Sequence, residues 1–167
     1  MNRSKLAAVF LFGIFFGLLE AIVVVYLQNI LNADKLLSYS ASSSDVQLSL
    51  GVIAFLKPEA SGILMQSSRI LFLEQLREGS TIIMLLSLAW AVSKKFKEGL
   101  AYFLLAFATW DIFYYIFLRV ITGWPNSLLD LDLFFLLPVA WVGPVITPIT
   151  ISLGLIIASI YLLKNTS

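Results

Sequence analysis

The sequence contains neither cysteine nor histidine. The absence of cysteine excludes disulfides, thiolate nucleophiles, iron–sulfur clusters and palmitoylation. The absence of histidine excludes His-ligated haem, the usual zinc sites, and the Ser-His-Asp and Cys-His catalytic mechanisms. Any bound metal would need oxygen ligands, and any proton chemistry would depend on carboxylates, tyrosine or lysine. We therefore expect a protein without a cofactor.

Charge is also scarce. Charged residues make up 13% of the chain, while hydrophobic residues make up 60%. Soluble domains carry about twice that proportion of charge, so the composition is that of a membrane protein. The net charge of +1 argues against a nucleic-acid partner, which requires a basic surface. The expected partner is the lipid bilayer.

Long apolar stretches are what the sequence has in abundance. They predict an all-α fold: a polytopic membrane helix bundle with four transmembrane helices, forming a single membrane domain over 1–167. The predicted spans are residues 6–31, 68–92, 100–121 and 145–163. We interpret the first as a retained span and not a cleaved signal sequence, because it is too long and contains Glu20.

Two further segments are predicted outside the spans. Helix breakers at 138, 143, 144 and 148 interrupt the last apolar region, so we expect a short helix near 131–137, either re-entrant or interfacial. The loop 32–62 is expected to lie outside the cell. Within it, the apolar residues at 46, 50, 53 and 56 favour an interfacial amphipathic helix over 46–56. An ordinary loop packed on the bundle is the alternative.

Basic residues flank one side of the predicted bundle: Arg3, Lys5, Lys94, Lys95, Lys97 and Lys164. The positive-inside rule therefore places both termini and the 94–98 turn in the cytoplasm. The outer mouth is then predicted to contain Trp124, Asp130, Asp132 and Trp141. Ser127 or Asp130 is expected to cap the short helix that follows, and the alternative is a divalent-cation site made by Asp130 and Asp132.

Ionisable side chains occur deep inside the predicted spans, where an ionised group facing lipid costs several kcal/mol or more. They are Glu20, Glu74, Arg77, Glu78, Asp111 and, near a span end, Arg119. Residues 74, 77 and 78 share one helix face, and Asp111, Tyr115 and Arg119 share another. Counted from the cytoplasmic ends, residues 20, 78 and 111 lie roughly 16–21 Å deep. We therefore expect one common interior layer that binds or translocates a solute.

Acids outnumber bases in this group. Four carboxylates and two arginines leave a net charge of −2 if all are ionised. Either carboxylates are protonated, or a cation or a cationic partner balances them. The alternative is that the charges form ion pairs that only fix helix packing.

Small residues mark two helix faces that can pack closely on neighbours. Gly13 and Gly17 form a small-xxx-small pair on the first span, which allows another helix backbone to approach. On the fourth span, a narrow face is made by Thr147, Thr150, Gly154 and Ala158. We expect both faces to point into the bundle.

Three segments have a distinctive sequence: FGLLEAIVVVYL at 16–27, EQLREGSTIIML at 74–85, and WDIFYY through GWP to PVAWVGP between 110 and 144. Together they resemble an uncharacterised family of small bacterial polytopic membrane proteins. The resemblance implies a location in the bacterial inner membrane and attaches no activity to the chain.

Three functions are consistent with these patterns. The first is binding or translocation of a small ion or polar solute, proton-coupled through the carboxylates. The second is a membrane enzyme that acts on a lipid or lipid-linked phosphate, with Arg77 and Arg119 as phosphate ligands and Glu74 or Asp111 as the base. The third is a structural or assembly subunit of a larger membrane complex. Because four spans barely enclose a pore, the first function favours a homo-oligomer.

Overall fold

The computed structural model describes residues 3–31, 45–64 and 68–165. In chain order, the elements are α1 Arg3–Leu31, β1 Val46–Leu50, β2 Ile53–Leu56, α2 Pro58–Leu64, α3 Ser68–Val92, α4 Phe96–Thr122, β3 Leu131–Phe135, β4 Trp141–Pro144 and α5 Ile146–Lys164. The chain divides into two compact units. The helical unit takes its described residues from 1–23, 82–124 and 148–167, and the sheet unit from 24–81 and 125–147.

Three helices of the described chain are long and apolar enough to cross a membrane: Arg3–Asn29, Phe96–Thr122 and Ile146–Lys164. They lie where the sequence predicts the first, third and fourth spans, and they indicate a membrane location. The helix α3 covers the predicted second span, 68–92, but it does not belong to this apolar set. Its polar residues between 74 and 81 explain the difference.

The core of the helical unit is built by side chains of α1, α3, α4 and α5. Its buried members include Val9, Phe16, Leu85, Tyr102 and Leu163. Rings of α1 and α4 meet across it, with the Phe16 and Trp110 centroids 5.8 Å apart. In lipid, such close van der Waals packing is what holds helices together, because the surrounding acyl chains are as apolar as the side chains.

The contact between α1 and α4 depends on two glycines, as predicted. A Cβ added at Gly17 would lie 2.8 Å from the carbonyl oxygen of Trp110 and 2.9 Å from the amide nitrogen of Tyr114. A Cβ added at Gly13 would lie 2.7 Å from the Cβ of Thr109. These distances are shorter than real Cβ contacts, so only glycine permits this helix approach. Since residue numbers rise together along the contact, α1 and α4 run parallel.

The fold is not purely all-α, because it contains a four-stranded antiparallel sheet in the order β1-β2-β4-β3. The predicted helix over 46–56 is wrong: this segment forms the hairpin of β1 and β2, in which Leu50 is paired with Ile53. Gly51, with φ of 62°, occupies the left-handed region that suits glycine in a tight turn. Residues 32–44 of the predicted outer loop lie outside the described residues.

The predicted short helix near 131–137 is also wrong. Residues 131–135 form the edge strand β3, which pairs with β4. Apolar residues at alternate positions, Leu131, Leu133 and Phe135, match the period of a strand. The core of the sheet unit is small and contains Leu56, Ala60, Leu136 and Ala140, with Leu27 of α1 packed against it.

Candidate functional site

In the sheet unit, Glu78 on α3 binds the main chain that follows β3. Both of its carboxylate oxygens accept the amide N–H of Leu136, at 3.1 and 2.8 Å. Gln75, one turn earlier on α3, donates from Nε2 to the carbonyl oxygen of Leu136 at 3.0 Å. Two side chains of one helix face therefore satisfy both polar main-chain groups of a buried residue, which would otherwise be costly.

Glu74 and Arg77 form an ion pair on the same face of α3. The Nε atom of Arg77 lies 2.8 Å from Oε2 of Glu74, and the side chains are 26% and 11% exposed, respectively. The spacing of three residues is the one at which helix side chains meet. The predicted polar face of α3 is thus real, and its buried carboxylates, Glu74 and Glu78, both have partners within the sheet unit.

In the helical unit, Asp111 of α4 meets α5. The hydroxyl of Ser152 donates to Oδ2 of Asp111 at 2.7 Å. Seven residues later, the hydroxyl of Ser159 donates to the carbonyl oxygen of Ala101, also at 2.7 Å. Because the higher number on α5 meets the lower number on α4, the two helices are antiparallel. Asp111 lies roughly 22 Å along α4 from Phe96 at 1.5 Å per residue.

Two predicted site residues of this unit, Glu20 and Tyr115, are buried. Glu20 is 8% exposed and Tyr115 is 5% exposed. Glu20 lies one turn beyond Gly17 on α1. The ring of Tyr115 on α4 packs against the ring of Tyr114, with the ring centroids 5.0 Å apart. An acidic group is therefore buried on α1, whereas Asp111 on α4 is half-buried.

Arg119 occupies a different environment from the buried groups. Its side chain is exposed at the end of α4, and its guanidinium donates to the carbonyl oxygen of Gly123. The spacing of Asp111, Tyr115 and Arg119 predicted that Arg119 shares the helix face of Asp111. Arg119 is nevertheless exposed, because the last turn of α4 is at the surface. A basic residue near a helix C-terminus satisfies carbonyls left without helical partners.

The small-residue face predicted on α5 is not the buried one. Thr150 and Gly154 are exposed, and an added Cβ at Gly154 would meet nothing within 4 Å. The buried residues of α5 are instead Ser152, Ser159 and Leu163. Sequence reasoning missed the two serines, although polar residues seven apart in an otherwise apolar helix indicate a face that contacts protein.

The outer-mouth residues divide between the two units. In the helical unit, Trp124 packs near Tyr115, with ring centroids 6.5 Å apart. In the sheet unit, Trp141 contacts Phe55 and Phe135, with centroids 5.0 and 6.1 Å away. This aromatic group lies where β2, β4 and β3 are adjacent.

Asp130 and Asp132 also belong to the sheet unit. Oδ2 of Asp130 accepts the amide N–H groups of Asn126 and Ser127, at 2.7 and 3.1 Å. The carboxylate therefore closes a loop, whereas the sequence predicted that it caps a helix. Asp132 lies opposite Gly143 in the β3–β4 ladder.

Residues 3–31, 45–64 and 68–165 contain no group of three or more Asp or Glu side chains placed to hold a metal ion. The arrangement is that of a small, mostly helical protein with three candidate membrane spans, an antiparallel sheet and carboxylates within its helices. No protein-family model, curated protein or solved structure matches this chain.

Proposed function

We propose that this protein binds a small cation, in the simplest case a proton, inside the membrane and moves it across, with Asp111 as the binding group. The observation that carries the proposal is the environment of Asp111. It lies on a candidate span, and its one hydrogen bond among the described residues comes from the hydroxyl of Ser152 on a second span.

A neutral hydroxyl does not balance a carboxylate charge. An ionised carboxylate in hydrocarbon costs several kcal/mol or more unless a positive charge is near it. No ion pair to Asp111 occurs in the described part of the chain, so a proton or a cation from solution is the counter-charge. Glu20 of the same unit is a buried carboxylate on α1.

We also propose α3 as a fourth span and a topology with both termini in the cytoplasm of the bacterial inner membrane. The direction of the helices supports this. Because α1 and α4 are parallel, the chain must return between them, and Lys5 at the start of α1 donates to the carbonyl oxygen of Val92 at the end of α3. The 25 residues of α3 extend about 37 Å, enough to cross a core of about 30 Å.

The test is cation flux in proteoliposomes. A pH-sensitive dye reports proton uptake driven by a potassium diffusion potential, and matched assays report sodium and potassium. We expect uptake with the unmodified chain, none with Asp111→Asn, and reduced uptake with Ser152→Ala. Ser159→Ala is the matched control, since it removes a buried hydroxyl of the same helix that does not touch a carboxylate.

Two outcomes would contradict the proposal. One is flux through Asp111→Asn equal to that of the unmodified chain, and the other is an unmodified chain that passes none of the three cations. Unfolding of each variant in detergent separates loss of function from loss of fold.

A structural role in a larger membrane complex is the second candidate. It is favoured by the contact of Glu78 and Gln75 with Leu136, in which a buried carboxylate is used to hold main chain. Co-purification of larger subunits in fixed stoichiometry with a chain that shows no cation flux would favour this role.

The lipid-phosphate enzyme remains a prediction, and its predicted phosphate ligand Arg119 donates a hydrogen bond to the carbonyl oxygen of Gly123. Membership in the resembled bacterial family likewise remains a proposal.

A further inference from the structure

One end of the sheet brings together the hairpin turn, the start of β3 and the end of β4. Leu50 and Ile53 close the hairpin, and Leu131 is opposite Pro144 in the ladder of β3 and β4. The loop before β3 joins the same end, because the amide of Val145 donates to the carbonyl oxygen of Asp130 at 3.0 Å.

This end is apolar and exposed. Its large hydrophobic side chains, which we name the apolar rim, are Leu50 at 59% exposed, Val52 at 65%, Leu128 at 50%, Leu129 at 73% and Leu131 at 62%. Soluble proteins rarely group so many large apolar side chains at the surface, and such groups mark sites that contact a membrane or a partner.

The apolar rim lies where a candidate span begins. The amide of Ile146, the first residue of α5, donates to the carbonyl oxygen of Leu128 at 2.8 Å. Residues Ile146–Lys164 form one of the three helices able to cross a membrane. The start of a span lies at the boundary between headgroups and acyl chains, so the rim lies at that boundary too.

Charge is placed at the opposite end of the hairpin. Residues 46–56 include no charged side chain, and the flanking Asp45 and Lys57 are joined at the other end by a main-chain hydrogen bond of 2.9 Å. Glu59 follows on α2 and is exposed. At the rim itself, the Asp130 carboxylate accepts two amide N–H groups. A carboxylate and a strand edge both fit the polar interface better than the hydrocarbon core.

We propose that the apolar rim inserts into the lipid interface of the leaflet in which α5 begins. The sheet is then an interfacial anchor, a role independent of cation binding at Asp111. A second copy paired along the edge strand β1 is the competing occupant. Such pairing would cover Leu50 but would leave Leu128 and Leu129 in contact with water, because these two residues belong to a different segment of the chain. A lipid surface covers all three segments.

The chain suits a direct test, because it contains no cysteine and a single label needs no background substitution. Val52→Cys and Leu129→Cys are labelled with the fluorophore NBD in phosphatidylcholine–phosphatidylglycerol vesicles, and Glu59→Cys is the matched control. We expect emission at shorter wavelength from both rim labels than from the control. We also expect quenching of the rim labels by lipids that carry a nitroxide near the headgroup, and of the control by aqueous iodide.

Iodide quenching of both rim labels equal to that of the control would overturn the proposal. So would a disulfide-linked dimer of Leu50→Cys formed in oxidised vesicles, because it would assign the rim to pairing between copies. Detergent unfolding identical to that of the unmodified chain confirms that each labelled variant is folded.

Discussion

Replacing Gly17 with alanine tests the closest helix contact in the protein. The new Cβ would lie 2.8 Å from the Trp110 carbonyl oxygen, about 0.6 Å inside the 3.4 Å at which ordinary contacts begin. The neighbouring atoms are main chain of α4, so rotation of a side chain does not relieve the clash. The helices must separate, and overpacking of this kind costs about 1–3 kcal/mol.

Gly154→Ala supplies the matched control. Gly154 also lies within a helix, but an added Cβ there meets nothing within 4 Å. Both substitutions gain the higher helix propensity of alanine, about 1 kcal/mol, and this gain cancels when the two variants are compared. We therefore expect Gly17→Ala to be less stable than Gly154→Ala by about 1–3 kcal/mol.

The measurement is equilibrium unfolding in mixed detergent micelles, followed by far-ultraviolet circular dichroism as the fraction of sodium dodecyl sulfate is raised. Gly17→Ala should unfold at a lower fraction than Gly154→Ala. Coincident transitions of the two variants would refute the close approach of α1 to α4.

Two further changes affect the sheet unit. Glu78→Ala removes the acceptor for the buried Leu136 amide and should lower the free energy of unfolding by about 1–3 kcal/mol. Glu78→Gln keeps an acceptor oxygen and should lose less stability. Equal stability of the alanine variant and the unmodified chain would contradict the contact between Glu78 and Leu136. Gly51→Ala places a Cβ at φ of 62° and should cost about 1–2 kcal/mol, with Gly51→Asn less affected. Equal stability of Gly51→Ala and Gly51→Asn in the same unfolding measurement would argue against a left-handed backbone conformation at residue 51.

The long helices are the part of the fold that the sequence predicts well. A run of twenty or more apolar residues has few structural solutions in a membrane protein, so α1, α4 and α5 lie within a few residues of the predicted spans. The two glycines of α1 were also interpretable, because only small residues allow helix backbones to approach in lipid.

The sheet was not predicted, because its strands are short and their patterns are ambiguous. Apolar residues at 46, 50, 53 and 56 match a helical period, yet Val46, Leu48 and Leu50 also alternate as in a strand. Pairing of the hairpin with β4, which lies far away in the sequence, decides between the two. Such non-local pairing is not encoded in either segment alone.

Burial of the carboxylates was predictable, whereas the identity of their partners was not. Charge inside an apolar span requires a protein environment, and Glu20, Glu74 and Glu78 are buried accordingly. The partners seen for Glu78 and Asp111 are a main-chain amide and a serine hydroxyl. Neither of these two groups has a charge that a sequence pattern would reveal.

The glycine contact between α1 and α4 also has a consequence for biosynthesis. Gly17 touches main chain that is synthesised about ninety residues later, which at 5–20 residues per second corresponds to on the order of 10 s. During this interval α4 has not yet been synthesised, so it cannot pack against α1. Gly13 and Gly17 of α1 then form a shallow notch that faces lipid or the insertion machinery. A chain arrested before residue 106 would keep that notch open to helices of other proteins.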